Sequence, residues 1–273
     1  MFHVMTVHFQ SEAWIESQVR YIRRFLPEDT KIWASLNGII SNKHWRRFDY
    51  AAEVPGTHAE KLNHLARLVL KEAAPTDHLL FIDGDALPIA AVTPDILGGH
   101  RLAAVQRFEN LGDLQPHPCF CVATAELWKD IDGDWRQGHQ WVNSLGYKIT
   151  DVGGNLLKQL EDRNIAWTPL LRSNVHDYHR LFYGIYGNVV YHHGAGFRSR
   201  GSRLDWELRP ARIPASVPIL HQFDYSRAVR ASRKVRPGGT VSDSNDAVVS
   251  RRLFERIEND EPFLEEFMTT PDA

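Results

Sequence analysis

Short apolar runs alternate with amphipathic helical stretches over residues 2–83, and this alternation constrains the fold more than any other feature. Phe2-His3-Val4-Met5-Thr6-Val7-His8 reads as a strand. Trp14, Ile15, Val19, Ile22 and Leu26 then recur at helical spacing, and Lys31–Leu36 reads as a second strand ended by the turn pair Asn37-Gly38. A helical segment through Leu62, Leu65, Leu68 and Val69 leads into the strand His78-Leu79-Leu80-Phe81-Ile82. Strands separated by helices predict a mostly parallel sheet with helices on both faces, an α/β fold of Rossmann-like type.

The chain is 273 residues long, enough for one large domain with its own core. A hydrophobic fraction of 43% excludes wholesale disorder, and a formal charge of -2 provides no global attraction for nucleic acid or anionic lipid. No stretch approaches the roughly 18 apolar residues that span a bilayer, and the cysteines Cys119 and Cys121 lack metal or redox spacing. The sequence therefore suggests a cytoplasmic protein with buried free thiols, both on one face of a strand.

Beyond residue 100 the pattern loosens. Leu102–Val105, Phe120–Thr124, Ala166–Leu171 and Val189–His192 read as strands. Ala125–Ile131 and Trp135–Ser144 read as short helices, and Asp151 can cap a helix through Leu160. Residues 226–246, with Arg227, Arg230, Arg233, Lys234 and Arg236, read as a basic flexible loop that closes over a charged substrate or is simply solvated. Helical periodicity returns over 247–273 through Val248, Leu253, Phe254 and Ile257.

Three motifs carry chemistry. The strand of residues 78–82 delivers Asp83-Gly84-Asp85 to its carboxyl end, where open α/β sheets bind ligands. Two carboxylates that close repel one another unless a hard divalent cation lies beside them, whereas the plain alternative is a turn whose acids face water. Tyr191-His192-His193-Gly194-Ala195-Gly196-Phe197-Arg198 ends another strand. Consecutive strand residues face opposite ways, so only one of the two imidazoles reaches a given site. In Ile149-Thr150-Asp151-Val152-Gly153-Gly154-Asn155 an acid precedes a helix, where it serves as a cap, as a proton acceptor, or as both.

In this order the motifs resemble the GT-A class of nucleotide-sugar glycosyltransferases over residues 2 to about 200. The resemblance implies a single GT-A-like domain over 1–225, with a nucleotide-binding half to about residue 100 and an acceptor half over 101–225 that includes the Gly112-to-Cys119 segment. It implies Mn or Mg held by Asp85, with Asp83 on the metal or the donor ribose and either His192 or His193 completing the set. His193 is slightly preferred because it opens a His-x-x-Gly arrangement. Asp151 matches the general base of inverting members, although the histidine arrangement resembles some retaining ones. The donor, a nucleoside-diphosphate sugar, is expected against His8-Phe9-Gln10, the Lys61-Asn63-His64 face and Arg198. Arg107–Asn110 and Pro116–Cys119 are expected to shape the sugar or acceptor pocket, while Trp128, Trp135 and Trp141 either stack on sugar or pack the core. The acceptor stays open among glycans, lipid-linked glycans, small metabolites, protein and modified DNA. A sugar nucleotidyltransferase is the rival enzyme, but residues 8–20 lack its glycine-rich loop. A non-catalytic carbohydrate- or nucleic-acid-binding module is the rival without turnover.

Overall fold

A computed structural model describes residues 1–179, 181–194 and 243–268. The elements are β1 (Phe2–Phe9), α1 (Ile15–Phe25), β2 (Lys31–Asn37), α2 (Asn42–Trp45), β3 (Tyr50–Ala52), α3 (His58–Val69), β4 (His78–Asp83) and β5 (Ala86–Pro88), followed by a short 3-10 turn at Pro94–Leu97. Then come β6 (Leu102–Val105), β7 (His117–Thr124), α4 (Ala125–Ile131), β8 (Trp141–Val142), β9 (Lys148–Ile149), α5 (Gly154–Asp162), β10 (Thr168–Leu170), β11 (Gly184–Tyr186) and β12 (Val190–His192). Two helices close the described chain, α6 (Asp243–Glu258) and α7 (Glu265–Met268).

The main sheet has seven strands in the order β10-β6-β7-β4-β1-β2-β3. It is mixed, because β7 runs antiparallel to both β4 and β6 while the other pairings are parallel. Both faces are covered. Along β4, Leu80 and Ile82 pack with Ile15 and Ile22 of α1, whereas Leu79 and Phe81 pack with Leu62 and Leu65 of α3 and Trp128 of α4. That two-sided burial explains why β4 reads as a continuous apolar run and why β1 is buried from Phe2 to His8 in spite of His3, Thr6 and His8. A second sheet, β11-β12-β5, leaves the end of β4 and packs with Tyr21 of α1, Leu253 and Ile257 of α6, and Phe267 of α7.

Four local expectations are corrected. Trp135–Ser144 is not a helix: Trp135 is pinned in the core against Phe81 and Trp128. Asn143 Oδ1 accepts the backbone N–H groups of Leu145 and Tyr147, turning the chain into the β8–β9 hairpin. Cys119 and Cys121 are both buried free thiols but lie in opposite core layers. The pairing of β6 with β7 shifts between Ala104 and Val105, and this bulge reverses the side-chain alternation before Phe120. Asp151 does not cap α5, whose N-cap is Gly153. A Cβ at Gly153 would lie 2.2 Å from the Pro116 carbonyl oxygen, and its φ is +92°, so glycine is required there. Finally, α6 starts at Asp243, inside the stretch expected to be a loop, and the helical region breaks after Glu258 before α7. The five loop cations Arg227 to Arg236 lie outside the described residues.

Candidate functional site

The Asp83-Gly84-Asp85 turn stands where β4 leaves the main sheet and β5 enters the second one. Glycine between the acids is a packing requirement, since a Cβ at Gly84 would lie 2.7 Å from the Val7 carbonyl oxygen and 2.9 Å from His8 Nδ1. β12 pairs antiparallel with β5 and sets His192 opposite Ala86, next to Asp85. His192 Nε2 thereby lies 3.3 Å from Asp85 Oδ1 and 3.7 Å from Asp83 Oδ2. Ligand atoms of Asp83, Asp85 and His192 all fall within 4.8 Å of one another.

His193 goes elsewhere, against the slight preference for it in the sequence. Its ring is fully buried, with Nδ1 2.9 Å from the Tyr191 hydroxyl and Nε2 2.8 Å from Ser250 Oγ of α6. Strand alternation decides between the neighbours: β12 aims His192 at the acids and His193 at the core.

Electrostatics follow from this placement. Burial works against the charged forms of Asp85 and His192, yet the adjacent imidazole holds the Asp85 carboxyl at about 2. The Asp85 carboxylate beside it holds His192 well above the ordinary imidazole range. Asp83 Oδ1 is buried without a hydrogen bond, although His58 Nε2 approaches it to 3.3 Å. Two carboxylates and an imidazole, with one carboxylate oxygen left without a hydrogen bond, make a donor set able to hold a divalent cation.

The site opens into a cavity of about 700 Å³ lined by Phe9, His58, Lys61, Arg107, His117 and Phe182 as well as the three clustered residues. Its location outside the carboxyl ends of β1 and β4 is the usual ligand position in open α/β sheets. Lys61 is only 4% exposed, and among the described residues it has no carboxylate partner; its ammonium sits 4.7 Å from the centre of the Phe9 ring. Burial accordingly lowers its pKa. The Glu53 charge opposes that shift in part, and the ammonium faces the cavity, where an anion can meet it.

The other expected site residues divide. His8 lines the cavity, but its Nε2 is 3.0 Å from Gln18 Oε1, and burial lowers its pKa to about 4, so its ring is neutral. Phe9 is 60% exposed, with the Lys61 ammonium over its ring. His64 does not line the cavity. It lies one turn beyond Lys61, about 5 Å farther from the strand ends. Asn63 is instead buried, donating to Asp134 Oδ1 at 2.6 Å. Asp151 does not line the cavity either; its Oδ1 accepts the Val152 N–H at 2.8 Å, and burial raises its pKa. Glu109 accepts from the Tyr186 hydroxyl at 2.6 Å. Trp128, Trp135 and Trp141 are buried, which accounts for them as core. Arg198 lies outside the described residues.

His58 and Gln18 were not anticipated. Thr57 and Glu60 form a capping box at the start of α3, a pattern legible in Thr57-His58-Ala59-Glu60 that would have set His58 at the helix entrance. Gln18 is fully buried and holds the acidic turn from beneath: its Nε2 donates to the carbonyls of Asp83 at 2.6 Å and Ala86 at 3.0 Å. No sequence signal separates it from an ordinary polar helix residue. No helix among the described residues is long and apolar enough to cross a membrane.

No protein-family profile matches the chain, and no curated protein is similar to it in sequence. Solved structures with partial likeness are glycosyltransferases. The mannosyltransferase PcManGT from Pyrobaculum calidifontis, in complex with GDP-Man and Mn2+, is 11% identical with a TM-score of 0.43, over 93% of this chain and 69% of that one. TarS of S. aureus is 13% identical with a TM-score of 0.36, over 50% of this chain and 30% of its own. The apo glycosyltransferase GlyE of Streptococcus pneumoniae TIGR4 is 14% identical with a TM-score of 0.33, over 47% of this chain and 35% of its own. The chain thus spans about a third of the length of TarS and GlyE, and likenesses this slight carry no inference about activity.

Proposed function

We propose that the protein transfers a sugar from a nucleoside-diphosphate sugar to an acceptor hydroxyl, with a divalent cation held by Asp83, Asp85 and His192. The observation that carries this reading is one cavity that joins a cluster of two carboxylates and an imidazole to Lys61, which has no ion-pair partner among the described residues. When bound, Mn or Mg supplies positive charge against a diphosphate leaving group. Lys61 adds fixed charge beside it, and the exposed ring of Phe9 offers a face on which a planar base can stack. Gln18 and Gly84 keep the two acids at the spacing the cation needs.

In this reading Asp151, off the cavity lining but close enough to feel the charges of Arg107 and Asp83, accepts the proton of an acceptor hydroxyl that reaches past the cavity wall, and the anomeric configuration inverts. A carboxyl raised by burial is a better base than one in water. Asp151→Asn is expected to leave donor affinity intact and lower turnover by roughly 10²- to 10⁴-fold; unchanged turnover, or a product of retained configuration, removes Asp151 from the chemistry.

The test of the activity is a panel of UDP-, GDP- and dTDP-sugars with Mn2+ or with EDTA. One donor is expected to raise the melting temperature by a few degrees with Mn2+ alone and to release its nucleoside diphosphate when acceptor is added. No shift with any donor would reject the reading.

A further inference from the structure

The sheet order divides the cavity. β1, bearing Phe9 and backed by α3 with Lys61, lies on one side of β4; β7 and then β6 lie on the other. Strands sit about 4.8 Å apart, so β6 is roughly 14 Å from β1. Arg107 follows the carboxyl end of β6, and His117 opens β7 at the same end of the sheet. Both line the cavity, on the far side of the acidic turn from Lys61.

Their hydrogen bonding is incomplete in a specific way. The Cys119 backbone N–H donates to His117 Nδ1 at 3.1 Å, so that nitrogen carries no proton and Nε2 must carry it. Yet Nε2 lies 3.4 Å from Arg107 Nη1, which is also a donor. Two N–H groups therefore meet with no acceptor between them. Arg107 Nε is buried and without a hydrogen-bond partner; the charges of Glu109, Asp113 and Asp151 act on Arg107, but among the described residues no carboxylate comes within ion-pair distance of it. A guanidinium with an unpartnered Nε, beside an imidazole N–H, offers donors that a carboxylate or phosphate oxygen can accept.

We propose that Arg107 and His117 form an anion site in the acceptor half of the cavity, and that the acceptor carries a carboxylate or phosphate bound there. The acceptor assignment rests on the transferase reading above, whereas the anion site itself does not. A neutral acceptor leaves the paired donors facing each other. An anionic oxygen between them satisfies both and orients the acceptor against the cation-binding acids.

The test is equilibrium binding of methyl glucuronide, methyl phosphate and neutral methyl glucoside to the full chain, with EDTA present so that no cation at Asp83 and Asp85 recruits the anion. At least one anionic probe is expected to bind tenfold or more tightly than the glucoside, and comparison of the two anions tells carboxylate from phosphate. Arg107→Gln and, independently, His117→Phe should erase that preference while UDP affinity in Mn2+ changes less than threefold. Arg107→Lys should retain part of it. Equal binding of all three probes by the unaltered chain overturns the site without reliance on any variant, as does a preference that survives both substitutions. UDP affinity that falls as steeply as anion affinity in Arg107→Gln overturns the acceptor assignment and moves the pair to the donor. An anion preference without turnover of any sugar nucleotide supports the site and removes only the transferase reading.

Discussion

Replacing Gln18 by methionine tests how the acidic turn is held. Gln18 is fully buried, and its amide serves four groups: Oε1 accepts from Thr6 Oγ1 at 2.9 Å and lies 3.0 Å from His8 Nε2, while Nε2 donates to the Asp83 and Ala86 carbonyls. Methionine keeps the length and bulk but forms none of these bonds. At about 1 kcal/mol net for each, the loss is about 4 kcal/mol. For a chain of this size that lowers the melting temperature by roughly 8–16 °C. The two carbonyls flank Gly84 and Asp85, so the same change should loosen the acids and weaken Mn2+ binding at least tenfold. Thermal melts and Mn2+ titrations of the folded variant at low temperature measure the two effects separately. A variant that melts within about 2 °C of the parent and binds Mn2+ equally would refute the reasoning.

Two further outcomes follow from neighbouring residues. Gly84→Ala forces a Cβ to within 2.7 Å of the Val7 carbonyl in a buried strand, so the turn must open; Mn2+ affinity should fall at least tenfold with little loss of helix by circular dichroism. Burial pushes the Asp113 carboxyl from 3.8 up to about 7. The folded state then keeps a proton that the unfolded chain releases, so this group costs no stability below about pH 4 and progressively more as pH rises towards 7. Asp113→Asn should therefore match the parent near pH 4 and exceed it by up to about 4 kcal/mol near pH 8 in urea melts. Parallel pH dependences of the two proteins would show that the acid titrates normally.

The sequence disclosed what local periodicity governs and missed what distant pairing governs. β1, α1, β2, α3 and β4 were readable because each buries a continuous run or one regular stripe. Asp83 and Asp85 were readable because their strand ends at them. Alternation established that only one of His192 and His193 could face the acids, but the choice depends on the β5–β12 register, which no local pattern encodes. The face of Cys119 was misread because one bulge reverses the count. The Trp135–Ser144 helix failed because Asn143 bonds the backbone of its own turn, a competition that spacing of apolar residues does not reveal. Phe182 and Gln18 reach the site from elements whose own sequences carry no sign of it.

Mn2+ binding to the purified full chain, followed by titration calorimetry without nucleotide, tests the central assignment most directly. The expected result is one Mn2+ per chain, with Asp85→Asn and His192→Gln each lowering affinity at least tenfold, about 1.4 kcal/mol. His64→Gln, which alters a residue outside the cavity, should bind as the parent does. Binding that persists unchanged in folded Asp85→Asn and His192→Gln would contradict the Asp83–Asp85–His192 centre and the function built on it.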